Sequence, residues 1–558
     1  LKSYMFQPLV KVENLTIEYN SYGKAFKAVD DVSMDIYENE KIALVGESGS
    51  GKTTLAMAIL RMLKPPGAIT SGKILHKNLS LIDLSEEEIR ARRLSEFSLI
   101  TQASMNSLNP VLRINEQLLD GLLDHGKLNK DENNSNIRSV LDQVQLPHSV
   151  LNMYPHELSG GMKQRVSIAC AILLNPNLIV ADEPTSALDV IIQRQVISTL
   201  FSIQKKYRTS ILLIGHDLGL VIQFADRIAV MHNGKIVELK KTEELLDSAS
   251  HWYTKTLLES VPSFNEEPKA TNRSNNLKKA SEFSSDKKIT IKLKNVFKSY
   301  ESSLWGARHN FALKNINFEF NNLEPSIIGI AGQSGSGKST LMQILLGTLK
   351  QTSGEVLLNE KPLLQYVKRN RKKYLLQVQP IFQDPYGVYN PFYKAIHFLQ
   401  ETAVNLNLIS HQKYFEGFIE AILLDVGLDF HDLKERYPHE LSGGQRQRLM
   451  VARALMVKPQ VILADEPVSM IDASLRASIL ENILTLKNQY GITVIYITHD
   501  LTTAFQICDT LNVMYQGEIV ESGLCKDVIL QPKHSYTKSL IASIPSKNKT
   551  SDWMQLSL

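Results

Sequence analysis

Cysteine is scarce in this sequence, and its three cysteines stand far apart, at Cys170, Cys508 and Cys525. No Cys-x-x-Cys pair and no cluster of cysteine with histidine occurs, which predicts that the chain holds neither a zinc site nor an iron–sulfur cluster. Isolated cysteines of this kind are typical of reduced thiols that pack as small apolar side chains.

Long apolar runs are also missing. No stretch approaches the ~18–20 residues of a membrane-spanning helix, and the opening LKSYMFQPLVKVE lacks the apolar core of a signal peptide. The net charge of +4 is small and indicates no particular class of partner. Because 558 residues are too many for one ordinary core, we expect several domains, made and kept in the cytosol.

A glycine-rich stretch, GESGSGKT at residues 46–53, lies between an apolar run at 42–45 and a helix-like run at 54–63. The pattern GxxxxGK[ST] lets backbone N–H groups surround a pyrophosphate, and it needs glycine because Cβ atoms would block the approach. Lys52 is expected to reach the β- and γ-phosphates, and Thr53 to offer its hydroxyl to Mg²⁺. The N-terminus of the following helix adds positive partial charge.

This stretch recurs as GQSGSGKS at residues 332–339, and other landmarks recur with it. Lys52 and Lys338 are 286 residues apart, and the other equivalent residues are 281 or 283 apart. Those pairs are Gln102 and Gln383, Ser159 and Ser442, Asp182 and Asp465, His216 and His499, and His251 and His534. A nearly constant, domain-sized offset indicates a duplication rather than a solenoid.

The duplication predicts the domain organisation. Residues 263–288 are polar, charged and almost free of large apolar side chains, as is typical of a flexible linker. We therefore predict one domain over 1–262, a second over 289–545, and a polar tail over 546–558. In each copy, short apolar strands alternate with helical patterns, and Asn233–Gly234 separates two apolar strands as a hairpin turn does. The fold class is α/β, with a largely parallel sheet and phosphate chemistry at its strand ends.

Each half also carries, in order, a Ser-Gly-Gly stretch before a helix, an apolar strand ending in Asp-Glu, and a second strand followed by His-Asp. The first stretch reads LSGGM at 158–162 and LSGGQ at 441–445. Together with the glycine-rich stretches at 46–53 and 332–339, which form a phosphate-binding loop or P-loop, these motifs make each half resemble an ATP-binding cassette (ABC) nucleotide-binding domain. The resemblance implies a P-loop core, an antiparallel β subdomain and a helical subdomain, all present twice. It further implies an ATPase that uses ATP and Mg²⁺ to drive transmembrane transport.

The resemblance assigns roles to individual residues. The glutamates polarise the attacking water and the histidines contact the γ-phosphate, so the catalytic residues are Glu183, His216, Glu466 and His499. The Mg²⁺ site comprises Thr53, Gln102 and Asp182 in one half, and Ser339, Gln383 and Asp465 in the other. The remaining nucleotide contacts are Gly46, Glu47, Ser48, Gly49, Ser50, Gly51, Lys52, Thr54, Ser159, Gly160 and Gly161 in the first half and Gly332, Gln333, Ser334, Gly335, Ser336, Gly337, Lys338, Thr340, Ser442, Gly443 and Gly444 in the second. Tyr19 and Tyr300 end early strands and are candidates to stack on adenine.

The LSGGM and LSGGQ stretches resemble the signature motif of this family. In this family the two domains close head to tail, so that the P-loop of one half faces the signature of the other with ATP between them. Neither half lacks a catalytic residue, and we predict two competent sites. Two departures leave room for unequal sites. Residues 469–472 read SMID where the first half has SALD, and residues 101–104 read TQAS where the second half has FQDP.

The ends of the two halves narrow the resemblance. HWYTKTLLESVP at 251–262 and HSYTKSLIASIP at 534–545 resemble the H-x-Y-T-x-x-L-x-x-x-x-P ending of the peptide/nickel importer ATPases. This group implies uptake of di- or oligopeptides or of a related solute such as glutathione, with nickel chelates as the alternative. It also implies two permease subunits and an extracytoplasmic binding protein as partners, at the inner face of the cell membrane. Many relatives carry a cysteine cluster near this ending, which is absent here, so no iron–sulfur cluster is predicted.

A different class of protein also has tandem ABC domains, namely the ribosome-associated translation factors. Those typically carry a long, basic, helical arm between the domains. Here the intervening stretch is short, contains Pro268, and includes the acidic residues Glu266, Glu267, Glu282 and Asp286. The importer reading is therefore preferred, with no nucleic-acid partner.

Overall fold

The computed structural model describes residues 7–21, 24–101, 107–186, 188–261, 289–302, 308–383, 387–408, 415–468, 473–547 and 553. The chain divides into two compact units. The first comprises Leu1–Pro262 together with Ser543–Leu558, and the second comprises Ser263–Ala542. The structure thus groups the residues from Ser543 onward with the first unit, whereas the sequence pattern alone extends the second domain to residue 545.

The first unit contains two sheets. Its strands are β1 (Val10–Ser21), β2 (Lys24–Ile36), β3 (Lys41–Val45), β4 (Gly67–His76), β5 (Leu79–Ser80), β6 (Phe97–Ile100), β7 (Leu178–Asp182), β8 (Ser210–Gly215), β9 (Arg227–His232) and β10 (Lys235–Lys241). An antiparallel sheet has the order β2-β1-β4-β5. A larger sheet has the order β10-β9-β3-β8-β7-β6, and only its β10–β9 pair is antiparallel.

The helices of the first unit connect these strands and extend beyond the sheet. They are α1 (Lys52–Ile59), α2 (Glu86–Arg92), α3 (Ile114–Leu123), α4 (Lys130–Gln143), α5 (Gly160–Ile172), α6 (Val190–Tyr207), α7 (Leu218–Phe224), α8 (Thr242–Ser248) and α9 (Trp252–Glu259). Helices α3 and α4 pack with α5 in one apolar core.

The second unit repeats this architecture. Its strands are β11 (Thr290–Ser302), β12 (Arg308–Asn321), β13 (Ile327–Ala331), β14 (Ser353–Leu358), β15 (Lys361–Pro362), β16 (Val378–Ile381), β17 (Val461–Asp465), β18 (Thr493–Thr498), β19 (Thr510–Tyr515) and β20 (Glu518–Leu524). They form sheets of order β12-β11-β14-β15 and β16-β17-β18-β13-β19-β20, with the parallel and antiparallel pairings of the first unit.

The helices of the second unit occupy equivalent places in its order. They are α10 (Lys338–Leu345), α11 (Leu363–Gln377), α12 (His397–Asn405), α13 (Phe415–Asp425), α14 (Phe430–Lys434), α15 (Gly443–Leu455), α16 (Ala473–Asn488), α17 (Leu501–Ile507), α18 (Cys525–Leu530) and α19 (Ser535–Ala542). The predicted α/β class, with antiparallel and helical subdomains present twice, is confirmed.

Burial explains the central strands. Each residue of β7 and β17 is buried, as expected for parallel strands covered on both faces, where a continuous apolar run replaces alternation. The hairpin between β9 and β10 turns at Asn233 and Gly234, which have φ of 48° and 78°. Two successive residues with positive φ are typical of the type I′ turn that suits the twist of a hairpin. Among the described residues, none of the helices is both long and apolar enough to cross a bilayer.

The described part of the C-terminal segment packs within the first unit. The Trp553 side chain is only 5% exposed and belongs to the core around α5 and α6. Nε of Arg194 donates to the Trp553 carbonyl oxygen at 2.8 Å, and the Arg194 guanidinium lies 5.4 Å from the centre of a Trp553 ring. Nε2 of Gln223 donates to the Ser546 carbonyl oxygen at 2.8 Å. The segment that composition predicts to be a polar tail therefore carries an apolar anchor.

Candidate functional site

The P-loop of each unit connects a buried central strand to a helix, β3 to α1 and β13 to α10. Two of its glycines are required by close contacts. A Cβ on Gly46 would lie 2.1 Å from the carbonyl oxygen of Met231, and a Cβ on Gly51 would lie 2.1 Å from that of Ala28. Gly332 meets Met514 in the same way, at 2.2 Å. The loop is thus held tightly against neighbouring backbone, and its conformation is nearly the same in both units.

The P-loop lysines are buried and hydrogen-bonded to their own loops. Nζ of Lys52 donates to the carbonyl oxygens of Gly46 at 2.8 Å and Glu47 at 2.6 Å. Nζ of Lys338 donates to those of Gly332 at 2.7 Å and Gln333 at 2.9 Å. A buried ammonium group at the start of a helix, inside a loop of glycine amides, provides an anion-binding environment.

The hydroxyl residues after these lysines face the aspartates that end β7 and β17. Oγ1 of Thr53 donates to Oδ1 of Asp182 at 3.3 Å, and Ser339 is the equivalent residue beside Asp465. Burial raises the pKa of Asp182, and burial together with Glu466 raises the pKa of Asp465 to about 6. Buried Oδ1 of Asp465 makes no hydrogen bond with the described residues. Carboxylate and hydroxyl oxygens are the ligands that Mg²⁺ prefers, and a cation at this point fits the buried negative charge.

Glu183 and Glu466, the residues directly after these two aspartates, each lie against a histidine. Oε2 of Glu183 is 3.4 Å from Nδ1 of His216, and Oε2 of Glu466 is 3.0 Å from Nδ1 of His499. Both glutamates have φ of 45°, a left-handed backbone conformation that is uncommon outside glycine and that clusters at active sites. The parallel order of β7, β8 and β3 explains the pairing, since the carboxyl ends of adjacent parallel strands meet at one edge of the sheet.

Of the two predicted glutamine ligands, Gln102 and Gln383, only Gln383 lies among the described residues. Nε2 of Gln383 donates to Oε2 of Glu466 at 2.8 Å, so this glutamine joins the glutamate–histidine pair. Gln102 lies outside the described residues, as do residues 469–472. In the first half, Oγ of Ser186 donates to Oε2 of Glu183 at 2.7 Å.

The remaining predicted residues lie as follows. Ser159 and Ser442 cap α5 and α15, accepting from the N–H groups of Met162 and Gln445. The Tyr19 hydroxyl lies 3.5 Å from that of Thr54, at the start of α1. Tyr300 is 45% exposed. The adenine-stacking role of both tyrosines stays a prediction.

The structure adds a tyrosine to each P-loop. The Tyr253 hydroxyl accepts a hydrogen bond from the Glu47 N–H at 2.7 Å, and the Tyr536 hydroxyl accepts from the Gln333 N–H at 2.9 Å. These tyrosines belong to the two H-x-Y-T endings, which the sequence pattern uses only to narrow the family. The repetition of these tyrosines in both halves is visible in the sequence and marks them as candidates. Their contact with the P-loop is visible only in the tertiary structure.

A glutamate on the preceding hairpin fixes each ending. Glu238 accepts from the N–H groups of Ser250 at 2.9 Å and His251 at 3.3 Å. Glu521 accepts from those of Lys533 at 2.8 Å and His534 at 3.1 Å. Burial raises the pKa of both carboxyl groups, but the hydrogen bonds outweigh it and lower the pKa below the ordinary value. Both glutamates are therefore ionised at neutral pH.

Comparison with known proteins agrees with this geometry. The profile of the family described as "ABC transporter" matches residues 29–186 and 313–469, more than half of the chain. The chain belongs to the ABC transporter family. A second profile, "Oligopeptide/dipeptide transporter, C-terminal region", matches this ABC protein at residues 237–287 and 520–557, which include both H-x-Y-T endings.

Curated ABC relatives match along nearly the whole chain. An uncharacterized ABC transporter ATP-binding protein, YejF of Escherichia coli (strain K12), is 36% identical over 549 residues, covering 96% of this chain and 100% of the relative. The glutathione import ATP-binding protein GsiA of Salmonella choleraesuis (strain SC-B67) is 34% identical over 567 residues, covering 96% and 89%. GsiA of Escherichia coli (strain K12) is 34% identical over 562 residues. The chain is therefore an ABC ATPase of the importer type with two fused nucleotide-binding domains.

Proposed function

We propose that both halves of this importer ATPase hydrolyse ATP with the same set of residues. The observation that supports this is the duplicated cluster of P-loop lysine, strand-end aspartate, glutamate and histidine described above. Lys52 and Lys338 bind the β- and γ-phosphates, and the signature serines Ser159 and Ser442 present helix N-termini to phosphate. Glu183 and Glu466 orient and polarise the attacking water, with His216 and His499 holding them in place near the γ-phosphate.

Mg²⁺ fits the oxygen ligands of each half. Thr53 and Asp182 would hold it in the first half, and Ser339, Gln383 and Asp465 in the second. When bound, Mg²⁺ supplies positive charge that neutralises the phosphate oxygens during phosphoryl transfer. The predicted ligand Gln102 is proposed by analogy with Gln383.

We propose di- or oligopeptides, or the tripeptide glutathione, as the transported solute. Two observations support this class. The oligopeptide/dipeptide C-terminal region matches in both halves, and relatives named for glutathione import are 34% identical over nearly the full chain. A peptide-type solute is preferred over a nickel chelate because the relatives' names point to glutathione.

The expected assembly contains two membrane-spanning permeases, which the ATPase contacts from the cytoplasmic face, and an extracytoplasmic binding protein that delivers the solute. The test is affinity purification of the tagged chain from detergent-solubilised membranes, followed by mass spectrometry. Two permeases should co-purify, and a variant with Lys52→Ala and Lys338→Ala should retain them. Recovery of ribosomal proteins without permeases would contradict the proposal and favour the translation-factor class.

Uptake measurements test the solute. Cells that express the whole transporter should accumulate labelled glutathione or dipeptide, and the lysine variant should abolish that uptake while leaving its partners bound. Competition with unlabelled di- and tripeptides defines the class. Uptake of nickel chelate alone, with no competition by peptides, would overturn the proposed solute.

A further inference from the structure

A single peptide group in each P-loop is held at both ends. In the first half, this is the peptide group between Gly46 and Glu47. Its carbonyl oxygen accepts from Nζ of Lys52 at 2.8 Å, and its N–H donates to the Tyr253 hydroxyl at 2.7 Å. The second half repeats the arrangement with Lys338 at 2.7 Å and Tyr536 at 2.9 Å.

The geometry of the peptide bond links these two contacts. A peptide group is planar, and its N–H and C=O point in opposite directions. Fixing the N–H of Glu47 therefore also fixes the direction of the Gly46 carbonyl oxygen that receives the Lys52 ammonium group. Glycine tolerates a wide range of backbone torsions, so the plane next to Gly46 needs an external constraint. The tyrosine hydroxyl supplies one.

The tyrosine is itself fixed from several sides. Tyr253 is 2% exposed and Tyr536 is 7% exposed. The Tyr253 ring packs against His232 with centroids 4.3 Å apart, and the Tyr536 ring stacks on Tyr515 at 4.2 Å. Both packing partners lie at the end of the strand beside the P-loop strand, namely β9 and β19. The hydroxyl position is thus determined by the sheet.

The residues before each tyrosine complete this support. Nδ1 of His251 accepts from the Tyr253 N–H at 3.2 Å, and Nδ1 of His534 accepts from the Tyr536 N–H at 3.2 Å. The ionised carboxylates of Glu238 and Glu521 bind the backbone N–H groups just ahead, as described above. A chain of contacts therefore runs from the hairpin glutamate through the histidine cap to the tyrosine and the P-loop.

We propose that Tyr253 and Tyr536 are positioning residues for the P-loop lysines. Each tyrosine orients the first peptide group of its P-loop and thereby sets the place of the ammonium group that meets the phosphates. This gives the H-x-Y-T ending a role in nucleotide binding. The inference rests on the proposed phosphate-binding role of Lys52 and Lys338.

Tyrosine-to-phenylalanine substitution tests the hydroxyl alone, because the ring and its packing remain. In the full chain, the double variant Tyr253→Phe, Tyr536→Phe should raise KM for ATP about fivefold, the order expected for loss of one hydrogen bond at a buried amide. The kcat should stay within about twofold, since the loss affects ground-state and transition-state binding alike. Amide hydrogen exchange in residues 46–53 and 332–339 should accelerate.

The matched control is Tyr374→Phe. Tyr374 is fully buried and its hydroxyl donates to the carbonyl oxygen of Leu345, at the far end of the helix that follows the second P-loop. This variant should lower the thermal unfolding temperature but leave KM for ATP unchanged. An equal rise in KM for Tyr374→Phe would show a general packing effect and overturn the positioning role.

Two further outcomes separate the inference from its basis. If Lys52→Ala with Lys338→Ala abolishes ATP binding while the tyrosine double variant binds ATP like the wild type, the P-loop assignment stands and the positioning role is wrong. If ATP binding survives the lysine substitutions, both ideas fail. A rise in KM confined to the tyrosine variants, with faster exchange in the two loops, supports the inference.

Discussion

Nδ1 of His499 lies 3.0 Å from Oε2 of Glu466, and Gln383 donates to the same glutamate oxygen at 2.8 Å. Burial lowers the pKa of His499, but the hydrogen bond and charge of Glu466 outweigh this effect and raise it. Burial raises the pKa of Glu466, but His499 outweighs this effect and lowers it. The carboxylate is therefore ionised at neutral pH and oriented by two donors, as a group that polarises water must be.

Removing the glutamate charge tests this assignment. The double variant Glu183→Gln, Glu466→Gln should lower ATP turnover about 100-fold or more, since each site loses its water-polarising carboxylate. It should still bind ATP, because the P-loops are unchanged. Phosphate release and equilibrium nucleotide binding measure the two effects, and each single variant reports whether the sites are equivalent.

A matched control for this experiment is Glu435→Gln, which removes an exposed carboxylate that pairs with Lys394 on the surface. It should leave turnover within about twofold, because exposed ion pairs contribute little. Near wild-type hydrolysis by the double glutamate variant would contradict the proposed role of Glu183 and Glu466.

Asp465→Asn should stabilise the nucleotide-free protein while impairing its function. Burial and Glu466 raise the pKa of Asp465 from 3.8 to about 6, so the folded chain holds the proton more tightly than the unfolded chain. Stability therefore decreases as pH rises from about 4 to about 6, and the full cost persists above that range. At pH 7.5 the substitution should raise the free energy of unfolding by about 3 kcal/mol, the equivalent of this pKa shift.

The pH dependence of that gain provides the control. Thermal unfolding should show little difference between Asp465→Asn and wild type at about pH 3, which is below both pKa values and leaves the aspartate largely protonated in folded and unfolded chains. At pH 7.5 the variant should hydrolyse MgATP poorly. A variant that is less stable than wild type at pH 7.5 would show that the buried charge is compensated without a cation.

Trp553→Ala should destabilise the first unit. The indole is almost fully buried, and its loss leaves a cavity beside Arg194, so the expected cost is about 3 kcal/mol. Differential scanning calorimetry of the full chain measures it. Trp252→Ala provides the comparison, because this tryptophan is 62% exposed and should cost less than about 1 kcal/mol. Equal effects of the two substitutions would contradict the anchoring role of Trp553.

Gly332→Ala should abolish ATP binding by the second P-loop. The new Cβ would lie 2.2 Å from the carbonyl oxygen of Met514, a backbone atom that cannot move aside without displacing β19. Gly417→Ala is the matched substitution, since Gly417 lies within α13 and, apart from its own stretch of helix backbone, no described atom lies within 4 Å of the new Cβ. It should stabilise the chain by up to about 1 kcal/mol through helix propensity. Retained ATP affinity in Gly332→Ala would contradict the tight fit of the loop.

Much of the fold and site follows from local sequence patterns. Glycine spacing at Gly46 and Gly51 reflects backbone contacts that exclude a side chain, so the P-loop is readable from residue types alone. The apolar run of β7 ending in Asp182 reflects a strand buried on both faces. The apolar residues of α3 recur with helical periodicity, so this helix is also readable from a local pattern.

The contacts that join distant segments are not readable in this way. Tyr253 lies 206 residues from Glu47, and Trp553 lies 359 residues from Arg194. A periodic pattern reports which face of an element is apolar, but not which partner that face meets. The composition of residues 546–558 predicts a polar tail, although Trp553 in that stretch is buried in the first unit.

The sequence by itself determined the duplication, the family and the identity of the phosphate-binding and catalytic candidates, because these depend on residue types at short, fixed spacings. Only the tertiary structure decided that the H-x-Y-T tyrosines contact the P-loops, that Gln383 and His499 share one oxygen of Glu466, and that Trp553 is an apolar anchor. These relationships arise from the packing of elements far apart in the chain, where one side chain meets another through the order of strands in the sheet.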